Sequence, residues 1–356
     1  MLKVRQCVRE MREYHSPLSS PATELRLDMN ESTTGCSPRV LAKLNSMDAR
    51  TLALYPRREA GEKLVADFLG VAPQQLLLTN GADEAIDLLC RAYLEPQDEI
   101  VIVVPTFGMY EVFAQMEGAK VVRVPTGPDF SFPLERVLNA LTAKTRIVVI
   151  CNPNNPTGID VPSSSIMQII QAAPDAAILL DEAYFDFYGQ TMLDQVGKLP
   201  NLFIARTFSK AYGLAGLRLG VMIGDQQQMS VLRRMASPFN VNAFAIECLS
   251  AALADRQFVG DYVAQVIASR EWLHRELEKL GFKCWPSHGN FILCRFGEDK
   301  KAILDTLRAR AISLRDRPDC EGCVRITIGK QQEMERLMAE LKQVLSQLPT
   351  VNQATR

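Results

Sequence analysis

The chain has 356 residues, which is long enough to bury a large core and to form a large and a small domain. Its 40 basic and 41 acidic residues give a formal net charge of −1, so the composition gives no reason to expect a nucleic-acid or membrane partner. No apolar run reaches the roughly 18 residues that a membrane-spanning helix requires. Residues 1–6 (MLKVRQ) lack the apolar core of a signal peptide, so we expect a cytoplasmic protein.

Short apolar runs alternate with helical patterns through the first two thirds of the chain. The predicted strands are residues 76–79, 100–104, 121–124, 147–150, 178–180, 202–205 and 219–223. The predicted helices are residues 64–68, 82–93, 109–117, 163–172 and 226–235. This alternation predicts an α/β fold, with a mostly parallel sheet covered by helices on both faces. The last two strands leave no room for a helix between them, so at least one strand should be antiparallel.

The pattern changes after residue 240. Residues 261–280 predict one long amphipathic helix that ends at Gly281. Strands at 291–294 and 324–328 follow, with helices at 301–309 and 332–345. We therefore predict a large domain over residues 28–240 and a smaller α/β domain over residues 241–356. Residues 1–27 should form an arm that packs on the small domain or on a partner subunit.

Three polar motifs follow predicted strands of the large domain. They are residues 152–158 (NPNNPTG), 181–184 (DEAY) and 206–210 (RTFSK), with Arg218 shortly after the last. Each alone is ordinary turn or helix-cap chemistry. The carboxyl ends of parallel strands meet at one edge of a sheet, so their joint occurrence predicts a single site. Together they offer an amine, an acid, an amide, hydroxyls and an arginine, the groups that a pyridoxal phosphate enzyme needs.

The chemistry of that cofactor suggests a role for four of these residues. The amine of Lys210 would form a Schiff base with the cofactor carbonyl. The cofactor ring withdraws electrons only while its nitrogen is protonated, so a buried carboxylate must face it, and Asp181 is the candidate. Tyr184 and Asn155 would contact the phenolic oxygen of the ring. We therefore predict Lys210, Asp181 and Tyr184 as catalytic residues.

The cofactor phosphate needs backbone N–H groups, hydroxyls and a cation. The turn at residues 80–84 (NGADE) opens a predicted helix, where free N–H groups and the helix dipole favour an anion. After the strand at 100–104, we expect Phe107 to stack on the flat ring of the cofactor. The residues of these motifs that we predict to bind the cofactor are Gly81, Ala82, Asp83, Thr207, Ser209 and Arg218.

In combination these motifs resemble the fold-type I pyridoxal-phosphate-dependent aminotransferases of class I/II, and among them most closely the histidinol-phosphate aminotransferases. Further matching motifs are residues 30–31 (NE), 55–56 (YP), 105–110 (PTFGMY) and 322–327 (GCVRIT). The resemblance extends from about Leu27 to the last predicted helix. It implies pyridoxal 5′-phosphate as cofactor, a homodimer, and ping-pong transamination of histidinol phosphate with glutamate or 2-oxoglutarate in histidine biosynthesis.

The resemblance also implies roles for residues that local patterns do not explain. Lys210 would shuttle the proton between the substrate and the cofactor. Arg325 would bind the acidic group of either substrate, an α-carboxylate or a phosphate ester, because a guanidinium accepts both bidentately. Arg315 would add a second phosphate contact, and Asn155 and Tyr14 would touch the substrate. Tyr55 would reach the cofactor phosphate in the neighbouring subunit's site.

Several departures from the family pattern leave the substrate open. Many relatives have tyrosine where Phe107 stands, and residues 287–291 (SHGNF) replace a more usual run on the imidazole side of the pocket. An aromatic amino acid aminotransferase is one alternative, and a pyridoxal-phosphate lyase or decarboxylase acting on a phosphorylated amino acid is another.

A cofactor-sensing regulator would need a helix-turn-helix module, for which the chain has no room. We expect no metal site, since the one Cys-x-x-Cys, Cys320 to Cys323, lacks suitably spaced further ligands.

Overall fold

Twelve strands form two β-sheets in the computed structural model, which describes residues 2–11, 25–127 and 129–347. The strands are β1 (Leu25–Leu27), β2 (Leu76–Thr79), β3 (Glu99–Val104), β4 (Lys120–Pro125), β5 (Thr145–Cys151), β6 (Ala177–Asp181), β7 (Leu202–Thr207), β8 (Gly220–Gly224), β9 (Lys283–Cys284), β10 (Phe291–Arg295), β11 (Ile312–Asp316) and β12 (Cys323–Thr327).

Fourteen α-helices surround these sheets in the described part of the chain. They are α1 (Gln6–Glu10), α2 (Pro38–Asn45), α3 (Ala49–Ala53), α4 (Arg58–Leu69), α5 (Gly81–Tyr93), α6 (Met109–Met116), α7 (Leu134–Ala140), α8 (Ser163–Ala172), α9 (Phe185–Tyr188), α10 (Gln226–Met235), α11 (Ala243–Ala254), α12 (Arg256–Lys279), α13 (Lys300–Ala309) and α14 (Gln331–Gln347). Of those the structure describes, none is long and apolar enough to pass through a membrane.

The larger sheet has seven strands in the order β2-β8-β7-β6-β5-β3-β4. Its strands are parallel except β8, which is antiparallel to both of its neighbours. The mostly parallel sheet and the antiparallel strand in its last part are therefore confirmed. Within it, Cys151 lies beside Asp181, and Asp181 beside Ala205. The carboxyl ends of β5, β6 and β7 are thus level with one another, which brings the polar motifs that follow them to one edge.

Side chains from both faces of this sheet are buried, as expected for parallel strands rich in Val, Ile and Leu. Along β5, Ile147 and Val149 pack against α5, α6 and α10, whereas Val148 and Ile150 pack against α2, α4, α7, α8 and α11. This alternation follows from the two-residue period of a strand. The sheet is consequently rigid, and it is a firm support for side chains at its edge.

The smaller sheet has the order β1-β11-β12-β10-β9, with β1 and β11 parallel and the other pairs antiparallel. Helices α12, α13 and α14 cover one of its faces. On β12, Val324 and Ile326 point into that core, so Arg325 between them points to the opposite face. That face is turned towards the carboxyl edge of the larger sheet, because Arg325 donates a hydrogen bond to Asn155.

The domain boundaries predicted at residues 28 and 240 stay a prediction. Strand β1 belongs to the smaller sheet, so the last residues of the predicted N-terminal arm join that sheet. Helix α11, just beyond residue 240, packs in the core of the larger sheet. The next helix, α12, begins at Arg256, five residues before the predicted start.

Candidate active site

The carboxyl ends of β5, β6 and β7 open onto one cavity of about 440 Å³ that also receives the first turn of α5 and the outer face of the smaller sheet. Twelve of the residues predicted from the sequence line it: Ala82, Asp83, Phe107, Asn155, Asp181, Tyr184, Thr207, Ser209, Lys210, Arg218, Arg315 and Arg325. The prediction that residues from separate motifs form one site is thus supported by their position in the fold.

Lys210 lies in the turn after β7, with its amine directed into the cavity. Its Nζ donates a hydrogen bond to the backbone oxygen of Met29 at 3.1 Å. Burial, and after it the positive charge of Arg325, lower the pKa of Lys210 from 10.5 to about 8. About a tenth of this amine is therefore unprotonated at pH 7, and only the unprotonated amine is a nucleophile.

Asp181 ends β6 at the floor of the cavity, where it is only 3% exposed. Its Oδ2 accepts a hydrogen bond from the Tyr110 hydroxyl at 2.6 Å, and its Oδ1 accepts one from the backbone N–H of Ala183 at 3.0 Å. Burial raises the pKa of Asp181 to about 6. Both of these donors are neutral, so a cation placed against this carboxylate would be strongly favoured.

Tyr184 and Asn155 both line the cavity. The Tyr184 hydroxyl accepts a hydrogen bond from Asn30 Nδ2 at 2.9 Å, and burial raises the pKa of this phenol to about 12. Tyr184 therefore keeps its proton and can donate it in a hydrogen bond to an anionic oxygen. Asn155 Oδ1 accepts a hydrogen bond from Arg325 Nη1 at 2.7 Å, which fixes the amide with its NH₂ group as the remaining donor.

The first turn of α5 and the turn before β8 form an anion site at one end of the cavity. Gly81 begins α5 with a φ of +80°, and a Cβ atom there would lie 2.5 Å from Arg218 Nη2. Arg218 itself has a left-handed backbone (φ 53°) and pairs with Asp83, Nη2 to Oδ2, at 3.1 Å. Strain of this kind in a residue other than glycine is typical of functional sites. Close approach of the backbone, free N–H groups and a guanidinium are what a phosphate requires.

Two buried hydroxyl residues complete that end of the cavity. Thr207 ends β7, and its Oγ1 accepts a hydrogen bond from the backbone N–H of Ser209 at 3.1 Å. On the opposite wall, the ring of Phe107 packs edge-on against Tyr110, with centroids 5.6 Å apart. These groups suit a flat ring with a phosphate at this end of the cavity. The basic nitrogen of the ring would meet Asp181, and its carbonyl would lie near Lys210. The residues therefore fit pyridoxal 5′-phosphate.

The smaller sheet contributes the arginines. Arg315 on β11 and Arg325 on β12 are directly opposite each other in the antiparallel pair. Arg325 is buried, and its Nη2 donates to the backbone oxygen of Asp28 at 2.6 Å in addition to the bond from Nη1 to Asn155. A guanidinium held at two points in this way presents a fixed fork to an acidic group in the cavity.

Of the predicted site residues that the structure describes, two do not line this cavity, Tyr55 and Gly81. Tyr55 is 77% exposed and stacks on Phe239, with ring centroids 4.2 Å apart. An exposed position is what the predicted role in a neighbouring subunit's site requires. Tyr14 lies outside the described residues. Gly81 is covered by Arg218 rather than exposed in the cavity wall.

Sequence reasoning missed several residues that the fold brings to the site. Asn30 belongs to a motif quoted above, but its hydrogen bond to Tyr184 joins residues that are 154 positions apart. Tyr110 likewise lies in a quoted motif, and its contact with Asp181 follows only from the packing of α6. Arg317 lines the cavity two residues beyond Arg315. The sequence contained a signal for Arg317, because residues two apart on an extended segment point to the same face and Arg315 was already predicted as a site residue.

A buried ion pair joins two of the polar motifs behind the cavity. Arg206 Nη2 lies 2.7 Å from Glu182 Oε2, and Arg206 Nε also donates to the same oxygen at 2.9 Å. Glu182 directly follows Asp181, and Arg206 precedes the Thr207 to Lys210 turn. The pair therefore ties the end of β6 to the end of β7 and holds Asp181 and Lys210 in register.

Comparison with known proteins agrees with this geometry. The sequence profile of the family described as aminotransferase class I and II matches residues 22–341. A histidinol-phosphate aminotransferase of Dehalococcoides mccartyi (strain ATCC BAA-2100) is 34% identical over 323 residues, which is 89% of each chain. Another, from Geobacillus sp. (strain WCH70), is 37% identical over 335 residues, covering 91% of this chain and 90% of that one.

A solved structure confirms the predicted fold. It is histidinol-phosphate aminotransferase from Sinorhizobium meliloti in complex with pyridoxal-5′-phosphate, with a TM-score of 0.90, 24% identity, and coverage of 98% of this chain and 99% of that chain. The family profile spans most of the chain, and the relatives match it nearly end to end. The protein is therefore an aminotransferase and belongs to the aminotransferase class I and II family.

Proposed function

We propose that this protein transfers an amino group between histidinol phosphate and 2-oxoglutarate, the reaction that serves histidine biosynthesis, with Lys210 as its catalytic amine. The observation that carries the proposal is the position of Arg325, buried in the cavity wall and fixed by Asn155 and the Asp28 backbone. Its fork can receive the carboxylate of glutamate in one half-reaction and a phosphate ester in the other. The names of the relatives described above support the same substrate.

Pyridoxal 5′-phosphate is the cofactor. When bound, it supplies a carbonyl that takes up the amino group and a protonated ring that withdraws electrons. Asp181 would hold the proton on the ring nitrogen, and Tyr184 and Asn155 would donate hydrogen bonds to the phenolic oxygen. Phe107 would cover one face of the ring. Gly81, Ala82, Asp83, Thr207, Ser209 and Arg218 surround the end of the cavity that suits its phosphate.

Lys210 would move the proton at the reacting carbon of the substrate. Burial keeps the pKa of its amine near the working pH, which is the condition for an efficient general base and acid. The backbone oxygen of Met29 holds the amine on the inner side of the cavity. The half of the substrate that carries the acidic group would lie towards Arg325, with Arg315 beside it.

The natural substrate can be identified by adding candidate amino donors singly to the cofactor-loaded enzyme. We expect the absorbance of the bound cofactor to change at least about tenfold faster with histidinol phosphate than with phenylalanine or tyrosine, since a phosphate ester can take charge-assisted hydrogen bonds from more than one guanidinium, whereas the single α-carboxylate of phenylalanine or tyrosine is satisfied by one. Glutamate should also react, because it supplies the other half-reaction. Stopped-flow absorbance measures these rates.

A different order of rates would point elsewhere. Fast conversion with phenylalanine or tyrosine, and none with histidinol phosphate, would make the protein an aromatic amino acid aminotransferase. Release of carbon dioxide or of a second product without formation of the amino form of the cofactor would indicate a lyase or decarboxylase. Either result would leave the cofactor contacts unaffected, since these enzymes share them.

We also propose that the enzyme is a homodimer. Large apolar side chains are exposed on α2, on α3 and the turn that follows it, and on the segment around the start of α11: Leu41, Leu52, Leu54, Tyr55, Phe239 and Phe244. A patch of this kind marks a protein interface more often than free surface. A two-fold dimer would cover it with the same patch of a second copy and would carry Tyr55 towards the neighbouring cavity.

The dimer can be tested by charging this patch. Leu54 is 57% exposed within it, and Leu54→Asp should raise the dimer dissociation constant by roughly a hundredfold or more, since a two-fold axis places the change twice in the interface. Analytical ultracentrifugation measures the constant. Ala339→Asp is the control, because it adds the same charge at an exposed position on α14, outside the patch. A wild-type protein that sediments as a monomer at tens of micromolar would contradict the proposal.

A further inference from the structure

We propose that Arg317 is a specificity-determining residue that joins Arg315 and Arg325 in receiving the phosphate group of a substrate. A substrate whose acidic group is a carboxylate does not require Arg317. The inference rests on the proposed function and deepens it. It assigns the recognition of a dianion to three guanidinium groups on one face of the smaller sheet.

The backbone places Arg317 on the same side as Arg315. Strand β11 ends at Asp316, but the pairing with β12 continues, because the N–H of Arg317 donates to the backbone oxygen of Cys323 at 3.3 Å. Residues two apart on an extended segment point to the same face. Arg315, Arg317 and Arg325 accordingly all line the cavity that contains Lys210.

The side chain of Arg317 is fixed rather than solvated, and it is only 12% exposed. Its Nε donates to Asp319 Oδ1 at 2.9 Å, and its Nη2 donates to Asp319 Oδ2 at 2.5 Å and to the backbone oxygen of Thr106 at 3.4 Å. These bonds use one edge of the guanidinium. The donors at Nη1 lie on the other edge.

Charge explains why a phosphate would use this third arginine. A carboxylate carries one negative charge on two oxygens, and one bidentate guanidinium satisfies it. A phosphate ester carries nearly two charges on three oxygens, so it needs donors from more than one direction. Arg218, the other arginine in the cavity wall, already pairs with Asp83 at the opposite end. Asp319 offsets part of the charge of Arg317, so we expect Arg317 to refine recognition of phosphate while Arg325 dominates it.

Arg317→Gln tests the proposal, since the amide removes the charge and keeps a donor for the Thr106 oxygen. We expect kcat/KM for histidinol phosphate to fall by about tenfold to a hundredfold, and that for glutamate by at most about threefold. The binding of inorganic phosphate to the cofactor-loaded enzyme, followed by thermal shift, should weaken by about tenfold as well. Arg308→Gln is the control. It removes the same charge from an exposed position on α13, one of the helices that cover the smaller sheet.

Other outcomes would overturn the proposal. An equal fall in kcat/KM for both substrates, with unchanged phosphate binding, would show that Arg317 only positions the Thr106 segment. Unchanged kinetics and unchanged phosphate binding would show that it has no part in recognition. If the wild-type enzyme does not react with histidinol phosphate, the proposed function fails, and the phosphate-binding comparison still decides whether Arg317 receives a phosphate.

Discussion

Replacing Lys210 with alanine should reduce transamination by roughly a thousandfold or more, since this amine both attaches the cofactor and moves the proton of the substrate. The cofactor should no longer be attached covalently. Reduction with borohydride followed by digestion and mass spectrometry checks this directly, because the wild-type peptide that contains Lys210 should carry the mass of the reduced cofactor. Lys198→Ala, at an exposed position before β7, is the matched control.

The same substitution should not weaken the fold. Burial lowers the pKa of Lys210 from 10.5 to about 8, so the folded protein disfavours the charged amine that the unfolded chain retains. Between about pH 8 and 10.5 the unfolded chain therefore binds more protons, and the stability of the wild type relative to Lys210→Ala should rise with pH over that interval. Chemical unfolding of the two cofactor-free proteins measures the difference.

Two results would contradict the role of Lys210. A variant that keeps transamination within tenfold of the wild type would assign the chemistry to another amine. A variant that loses activity but also unfolds at a much lower denaturant concentration would leave the loss explained by the fold. The control Lys198→Ala should change neither quantity.

Much of the cavity was predictable because its residues follow buried strands. Asp181 ends an unbroken apolar run, and Lys210 lies just after another, so the position of each could be read from local sequence. Parallel strands of similar length align their carboxyl ends, which is why separate motifs meet. The phosphate role of Gly81 was inferred from a similar local signal, a glycine at the first position of a helix, and stays a prediction.

The missing parts depend on contacts between distant segments. Strand β1 has three residues and gains its hydrogen bonds from β11, more than 280 positions away, so no local pattern identifies either strand. Helix α11 is apolar on nearly all sides and shows no amphipathic period, because one side packs in the core of the larger sheet and another carries the exposed Phe244. Asn30 reaches the cavity on such a segment, shortly after β1. Its contact with Tyr184 follows from tertiary packing, which periodicity does not encode.

Replacing Asp181 with asparagine should lower kcat/KM by about a hundredfold to a thousandfold, in the range expected when a fixed charge in a buried site is removed. The amide has the shape of the carboxylate, and its oxygen can still accept one of the hydrogen bonds from Tyr110 and the Ala183 backbone. It cannot hold a proton on the cofactor ring, because it has no negative charge. Steady-state kinetics measure the loss, and Asp175→Asn, an exposed residue just before β6, is the control.

The pH dependence of cofactor binding separates the charge of Asp181 from its shape. Burial raises the pKa of this carboxyl to about 6 in the cofactor-free protein, so Asp181 is ionised above pH 6 and protonated below it. The wild-type complex would keep a proton between Asp181 and the ring, whereas the Asp181→Asn complex would lack it. Above pH 6 the wild type must then take up one more proton than the variant on binding, so its advantage in cofactor affinity should fall as the pH rises above 6 and level off below it. The titration of the free cofactor cancels in this ratio, because both proteins bind the same cofactor. A ratio that does not change across pH 6 would mean that Asp181 acts through hydrogen bonding alone.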